Sequence, residues 1–205
     1  MYTPKLFRND NTEEIKEFIQ QNSFGILVSQ HSGRIVATHI PFEFSANRSK
    51  LIAHVSRANP QWQDFNENTE VLIIFAGPHT YISSSWYTIP AVPTWNYIAA
   101  HVYGNIRTIE GEELYQSLVG LLNRYEKNAD NAVTEEKLTR ESIEKQMQGV
   151  VGFEVDITKI EASFKLSQNR DDQSHSNIIH NLEKQTDNNA QHIAQVMKES
   201  RCPLH

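Results

Sequence analysis

The feature that most constrains the fold is a succession of short apolar segments of strand length, each closed by a polar turn, running through the first half of the chain. Phe24-Gly-Ile-Leu-Val-Ser-Gln30 reads as a strand, and His31-Ser-Gly-Arg34 as a tight turn into a second strand over residues 35–44. Pro41 cannot donate a ladder hydrogen bond, so that strand should bulge or meet an edge there. A polar turn over 45–50 precedes the strand Leu51-Ile-Ala-His-Val55, and Glu70-Val-Leu-Ile-Ile-Phe75 reads as a further buried strand. A capped helix near 12–22 comes before this meander, with Asn11 as N-cap and Glu14 at the third helical position. Pro60 opens a short helix through Trp62 and Phe65.

The period changes after Glu110. Leu114, Leu118, Leu121 and Leu122 recur at helical spacing, and a second helix is expected over about 134–148, with Thr134 or Thr139 as its cap. Val150-Val-Gly-Phe-Glu-Val-Asp-Ile157 returns to strand alternation and continues towards Phe164. Beyond about 171 the chain is rich in Asn, Gln, Asp and His, and its thin apolar faces predict one or two loosely held surface helices. Strands in succession, interrupted late by helices and closed by another strand, fit a mainly β, α+β antiparallel barrel with peripheral helices better than a βαβ fold.

At 205 residues the chain can bury a sizeable core without staples. Its one cysteine, Cys202, has no partner for a disulfide within the chain, which suits a reducing compartment. No segment approaches the ~20 apolar residues of a membrane-spanning helix, so a soluble cytoplasmic protein is expected. A formal charge of −6 argues against non-specific nucleic-acid binding.

Chemistry concentrates between Pro78 and Tyr97. This stretch holds two of the three Trp, with three Tyr and three Ser, a composition suited to holding a planar ligand with polar edges. Ser83, Ser85, Trp86 and Tyr87 supply hydroxyls and π-faces, and Thr94, Trp95 and Asn96 repeat that chemistry. The competing reading is an aromatic core or dimer interface. A second cluster, His54, Ser56, Arg57 and Asn59, sits where a strand runs into a helix N-terminus, as a phosphate cradle or as a solvated corner capped by Asn59. Lys165-Leu-Ser-Gln-Asn-Arg170 places two cations after the last strand. His39, His54, His79 and His101 lie on separate predicted strands without metal-ligand spacing, so no metal site is expected, and no serine elbow or acid–base pair marks a catalytic residue.

Five blocks in order carry a resemblance: Ala37-Thr-His-Ile-Pro41, Leu51-Ile-Ala-His-Val-Ser-Arg-Ala-Asn-Pro-Gln-Trp62, Tyr81-Ile-Ser-Ser-Ser-Trp-Tyr87, Val92-Pro-Thr-Trp-Asn-Tyr97 and Phe164-Lys-Leu-Ser-Gln-Asn-Arg170. Over about residues 1–170 the chain closely resembles the PaiB-like family of FMN-binding split-barrel transcriptional regulators. The resemblance implies a six-stranded antiparallel split β-barrel of the kind shared with pyridoxamine-phosphate oxidases, with helices inserted at about 110–148 and a polar helical tail over 171–205. It also implies FMN as cofactor, a homodimer with flavin sites between subunits, and negative regulation of sporulation and degradative-enzyme production in a bacterial cytoplasm. Carried over block by block, His54 to Asn59 would face the phosphate, with Arg57 as counter-charge. Ser83 to Tyr87 and Thr94 to Asn96 would approach the ring or ribityl chain, with His39 and Lys165 as weaker contacts. Where the resemblance implies a proline between two serines, this chain has Ser83-Ser-Ser85. A flavin-dependent oxidoreductase or a haem-handling split-barrel protein are the alternatives, and DNA or a protein partner, reached directly or indirectly, the expected target of regulation.

Overall fold

The computed structural model describes residues 1–126, 133 and 137–200. Cys202, Thr134 and the start of the helix expected over 134–148 lie outside the described residues. Among the described residues the chain forms eight strands and five α-helices: β1 (Arg8–Asn9), α1 (Thr12–Gln21), β2 (Phe24–His31), β3 (Arg34–Pro41), β4 (Glu43–Phe44), β5 (Lys50–Ser56), β6 (Thr69–Ile82), β7 (Thr94–Ile109), α2 (Gly111–Glu126), α3 (Arg140–Met147), β8 (Val150–Lys165), α4 (Asp172–Glu183) and α5 (Asn188–Ser200). The hydrogen-bonded strand order is β3-β2-β6-β7-β8-β5-β4, with β1 added to β8. The path is open between β3 and β4. Eight strands stand where six were expected, and the excess is β1 and β4, each of two residues. Pro41 stands opposite Phe24 at the end of the β2 pairing, where its missing N–H costs no ladder bond; the Phe42 amide still donates to the Ser23 carbonyl at 2.9 Å, and β4 then pairs with β5.

Local chemistry sets these elements. Asn11 caps α1 by accepting the Glu14 amide at 3.3 Å. Ser32 and Gly33 take φ of 50° and 74°, the left-handed pair that a two-residue hairpin between β2 and β3 requires. Thr139 caps α3, accepting the Ser142 amide at 3.2 Å.

The chain divides into two compact units, and β6, β7 and β8 contribute residues to both. One comprises residues 20–75 and 102–160. Its core rests on a phenylalanine cluster: Phe42 meets Phe75 edge-on at 5.6 Å between ring centroids, and Phe65 meets Phe153 at 5.2 Å. On β5, Leu51, Ala53 and Val55 are buried while the residues between them are not, the period-2 pattern of a strand with one face on a core. A Cβ at Gly104 would collide with the Asp156 carbonyl, so β7 and β8 approach there as only glycine permits.

The other unit comprises residues 1–19, 76–101 and 161–205. Phe18 of α1 packs edge-on against Phe164 of β8 at 5.8 Å. Helices α4 and α5 are not loosely held. Ile178, Leu182, Ile193 and Met197 are fully buried, because the two thin apolar faces close on each other, with Met197 also meeting Asn96 of β7. The Met1 ammonium ion-pairs with Glu161.

Candidate functional site

The five sequence blocks gather into two polar clusters, two blocks in the first-described unit and three in the second.

In the unit of residues 20–75 and 102–160, β5 ends at Ser56 and the chain turns through Asn59, whose amide donates to the Ser56 carbonyl at 2.9 Å. The Asn59 carboxamide holds this corner. Its Oδ1 accepts the Gln61 amide at 3.0 Å, capping the 3₁₀ turn Pro60–Asp64, and its Nδ2 donates to Thr38 Oγ1 at 2.9 Å. Thr38 donates to Gln61 Oε1 at 2.6 Å, and Gln61 Nε2 reaches Ser29 Oγ at 2.9 Å. Blocks 37–41 and 51–62 are thus tied together through Thr38, Asn59 and Gln61. Thr38 and Gln61 escaped the sequence reading. The alternation around His39 was the available signal, because adjacent strand residues point to opposite faces and only Thr38 faces this corner. His39 instead stacks on Phe24, at 6.3 Å between centroids.

Arg57 is anchored. Its Nε donates to the Gln148 carbonyl and its Nη2 to the Val150 carbonyl, both at 2.9 Å, while the guanidinium lies 5.9 Å from the Trp62 ring. These bonds fix the plane of an exposed cation and leave further N–H donors of the fork. Ser56 Oγ accepts the Ala58 amide at 3.3 Å. His54 lies on the same face of β5 as Ser56. Burial pushes its imidazole below the ordinary histidine value, and its Nδ1 is buried without a hydrogen-bond partner.

In the unit of residues 1–19, 76–101 and 161–205, Ser83 Oγ caps the 3₁₀ turn Ser84–Trp86 through the Ser85 amide and pairs with Ser85 Oγ at 2.8 Å. Lys165 Nζ donates to Thr94 Oγ1 at 2.5 Å, Ser167 Oγ donates to Asn96 Oδ1 at 3.0 Å, and the Arg170 guanidinium sits 3.9 Å from the Tyr87 ring centroid. Blocks 81–87, 92–97 and 164–170 therefore converge on one another. Burial first, and then the neighbouring Arg170, lower the Lys165 pKa. Asn96 is fully buried and spends its Nδ2 on Met197 Sδ at 3.5 Å, which makes it a scaffold residue. Trp95 is 54% exposed and forms an aromatic ladder with Tyr81 and His79. The Tyr87 hydroxyl is buried without a partner. Helix α4 reaches the same stretch, with Asn177 Nδ2 donating to the Trp86 carbonyl at 3.2 Å and Ser174 Oγ accepting the Thr88 amide at 2.9 Å.

The strand order, open at β3 and β4, with helices added, is that of an α+β protein of the mainly antiparallel split-barrel class. The chain belongs to the family described as "Putative FMN-binding domain", whose model matches residues 1–159. It is 42% identical over 201 residues to "Protease synthase and sporulation protein PAI 2" of Bacillus subtilis, covering 97% of each chain. Among solved structures it is similar to the FAD and heme binding protein from Mycobacterium smegmatis, with a TM-score of 0.59 at 15% identity over 80% of this chain and 76% of that one. The flavocytochrome Anf3 from Azotobacter vinelandii also gives a TM-score of 0.59, at 12% identity over 83% and 75% of the two chains. At such identities the structural likeness carries the fold.

The corner at His54 to Asn59 fits the phosphate-bearing end of FMN. It combines an anchored guanidinium with spare donors, a hydroxyl, and an imidazole nitrogen that the protein itself leaves unpaired; an unpaired buried polar atom carries a cost that a ligand would relieve. Among the described residues no helix is long and apolar enough to cross a membrane.

Proposed function

We propose that this chain is a homodimeric, FMN-holding negative regulator of sporulation and degradative-enzyme production, acting in the cytoplasm. The observation that carries this reading is the 42% identity to the Bacillus subtilis sporulation protein across 97% of both chains. Within the corner, Arg57 and Ser56 bind the phosphate oxygens and His54 contributes its unpaired ring nitrogen, while Asn59, Thr38 and Gln61 hold the turn rigid beneath them. The bound flavin supplies a redox-active isoalloxazine. The protein's part is to fix the cofactor's phosphate end in place. Ser83, Ser85, Trp86, Tyr87, Thr94 and Trp95 are the candidates to meet the ring of a flavin held by the partner subunit; within their own unit Asn96 and Lys165 have the geometry of supports.

Regulation follows if flavin occupancy or redox state shifts the population of conformers that meets DNA or a protein partner. A chain of net charge −6 binds DNA only through a local surface, so target recognition through a partner is the favoured route. The test is direct. Purified protein should carry or take up FMN with a visible flavin spectrum, should bind its target in a flavin-dependent way, and should not consume reductant catalytically with small-molecule acceptors. Steady turnover without flavin-dependent target binding would make it an oxidoreductase instead.

A further inference from the structure

Arg57 is held at more points than an exposed side chain needs. Its backbone amide donates to the Gly149 carbonyl at 2.9 Å, and its guanidinium donates to the carbonyls of Gln148 and Val150, also at 2.9 Å. Its own carbonyl accepts the indole N–H of Trp62 at 3.0 Å. Main chain and side chain are therefore fixed together, and what stays uncommitted is the rest of the guanidinium fork. Such anchoring costs side-chain entropy, which preorganisation for a ligand offsets.

Three of these clamps end on backbone carbonyls at the junction of α3 and β8, and Trp62 supplies the one that comes from another side chain. It lies in the 3₁₀ turn Pro60–Asp64, capped by Asn59. The turn also brings its ring to 5.9 Å from the guanidinium carbon of Arg57. One indole thus acts twice on one residue. Its N–H closes residues 57–62 into a loop, and its π-face attracts the cation. Gln61 and Phe65 of the same stretch are buried, whereas Trp62 is only half-buried, so core packing does not by itself account for a tryptophan here.

We propose that Trp62 is a positioning residue for the phosphate of FMN, acting through Arg57: the indole fixes the backbone and the plane of the guanidinium that meets the phosphate, and so sharpens the distinction between FMN and riboflavin. This rests on the reading of the corner at His54 to Asn59 as the phosphate site. Trp62 itself touches no part of the ligand.

The experiment uses two substitutions that separate the contributions of the indole. Trp62→Phe keeps an aromatic face and loses the N–H donor; Trp62→Leu loses both. Titrated with each flavin, Trp62→Phe should lower the preference for FMN over riboflavin about 3-fold, and Trp62→Leu should bring it close to that of Arg57→Ala, with riboflavin affinity within about 2-fold of wild type throughout. A second readout needs no flavin. In the flavin-free protein, the Arg57 Nε–H followed by ¹⁵N NMR should exchange with solvent slowly, about 3-fold faster in Trp62→Phe and on the order of 10-fold faster in Trp62→Leu. A wild-type preference for FMN that Trp62→Leu retains, an equal loss of FMN and riboflavin affinity, or unchanged exchange at Arg57 Nε in Trp62→Leu would each overturn the inference while leaving the phosphate reading standing. Equal affinity of the wild type for the two flavins would remove both.

Discussion

Ser167 donates its hydroxyl proton to Oδ1 of the fully buried Asn96 at 3.0 Å while its own backbone sits in the left-handed region, with φ of 60°. A serine is an uncommon choice for that conformation, and the hydrogen bond supplies the reason: it satisfies a carboxamide that has no access to water. The contact clamps the turn after β8 onto the start of β7.

Ser167→Ala should therefore destabilise the protein by about 1–3 kcal/mol, because it keeps the strained backbone and leaves the Asn96 oxygen unpaired. Ser167→Gly relieves the backbone but still loses the bond, and should be less damaging. Urea denaturation of both variants checks the order.

Met197 is fully buried and accepts the other end of the same carboxamide. Met197→Ala should cost about 2–5 kcal/mol in the same assay, the range for emptying a packed core position. A loss within a few tenths would mean that α5 is a dispensable appendage.

Asp171 caps α4. Its carboxylate accepts from the Ser174 hydroxyl and the Ser174 amide, which together hold its pKa down to about 2. A depressed carboxylate stabilises the fold above its unfolded value near 3.8 and loses that contribution as pH falls towards about 2. Asp171→Ala should lower the melting temperature at neutral pH, and the gap to the wild type should close below pH ~3.

His54 and His101 are both pushed below the ordinary histidine value, chiefly by burial, with the Met1 ammonium adding to the effect on His101. The unfolded chain thus takes up protons first as pH falls through ~6.5, so both histidines withdraw stability below that point. Ring-proton NMR titration should show two resonances with midpoints below 6.5, and His54→Gln should flatten the acid limb of the stability profile. Midpoints at or above 6.5 would refute the burial argument.

The strands, hairpin and caps were legible because their signals are local. Alternation of Leu51, Ala53 and Val55, the Ser-Gly pair after His31, and Asn11 and Asn59 before their helical turns act over a few residues each. The aromatic stretch was legible as a cluster; its convergence with Lys165 to Arg170 was not, since Thr94 and Asn96 meet Lys165 and Ser167 across 71 residues of sequence. Gln61 was not, since a glutamine becomes a core residue only when Thr38 and Ser29, more than twenty residues away in sequence, arrive to satisfy its amide. The tail misled for the same reason: its polar composition hid a thin stripe that is sufficient once α4 and α5 cover each other. Arg57 was legible as a cation, but the carbonyls of Gln148 and Val150 that orient it lie about ninety residues away.

The central claim is that the corner at His54 to Asn59 holds the phosphate of FMN, and its sharpest test compares FMN with riboflavin, which differs only by that phosphate. Titration followed by flavin fluorescence should show FMN binding at least ~10-fold more tightly than riboflavin, and Arg57→Ala should remove most of that difference while leaving riboflavin affinity unchanged. Equal affinity for the two flavins, or a preference for FMN that survives Arg57→Ala intact, would contradict the account.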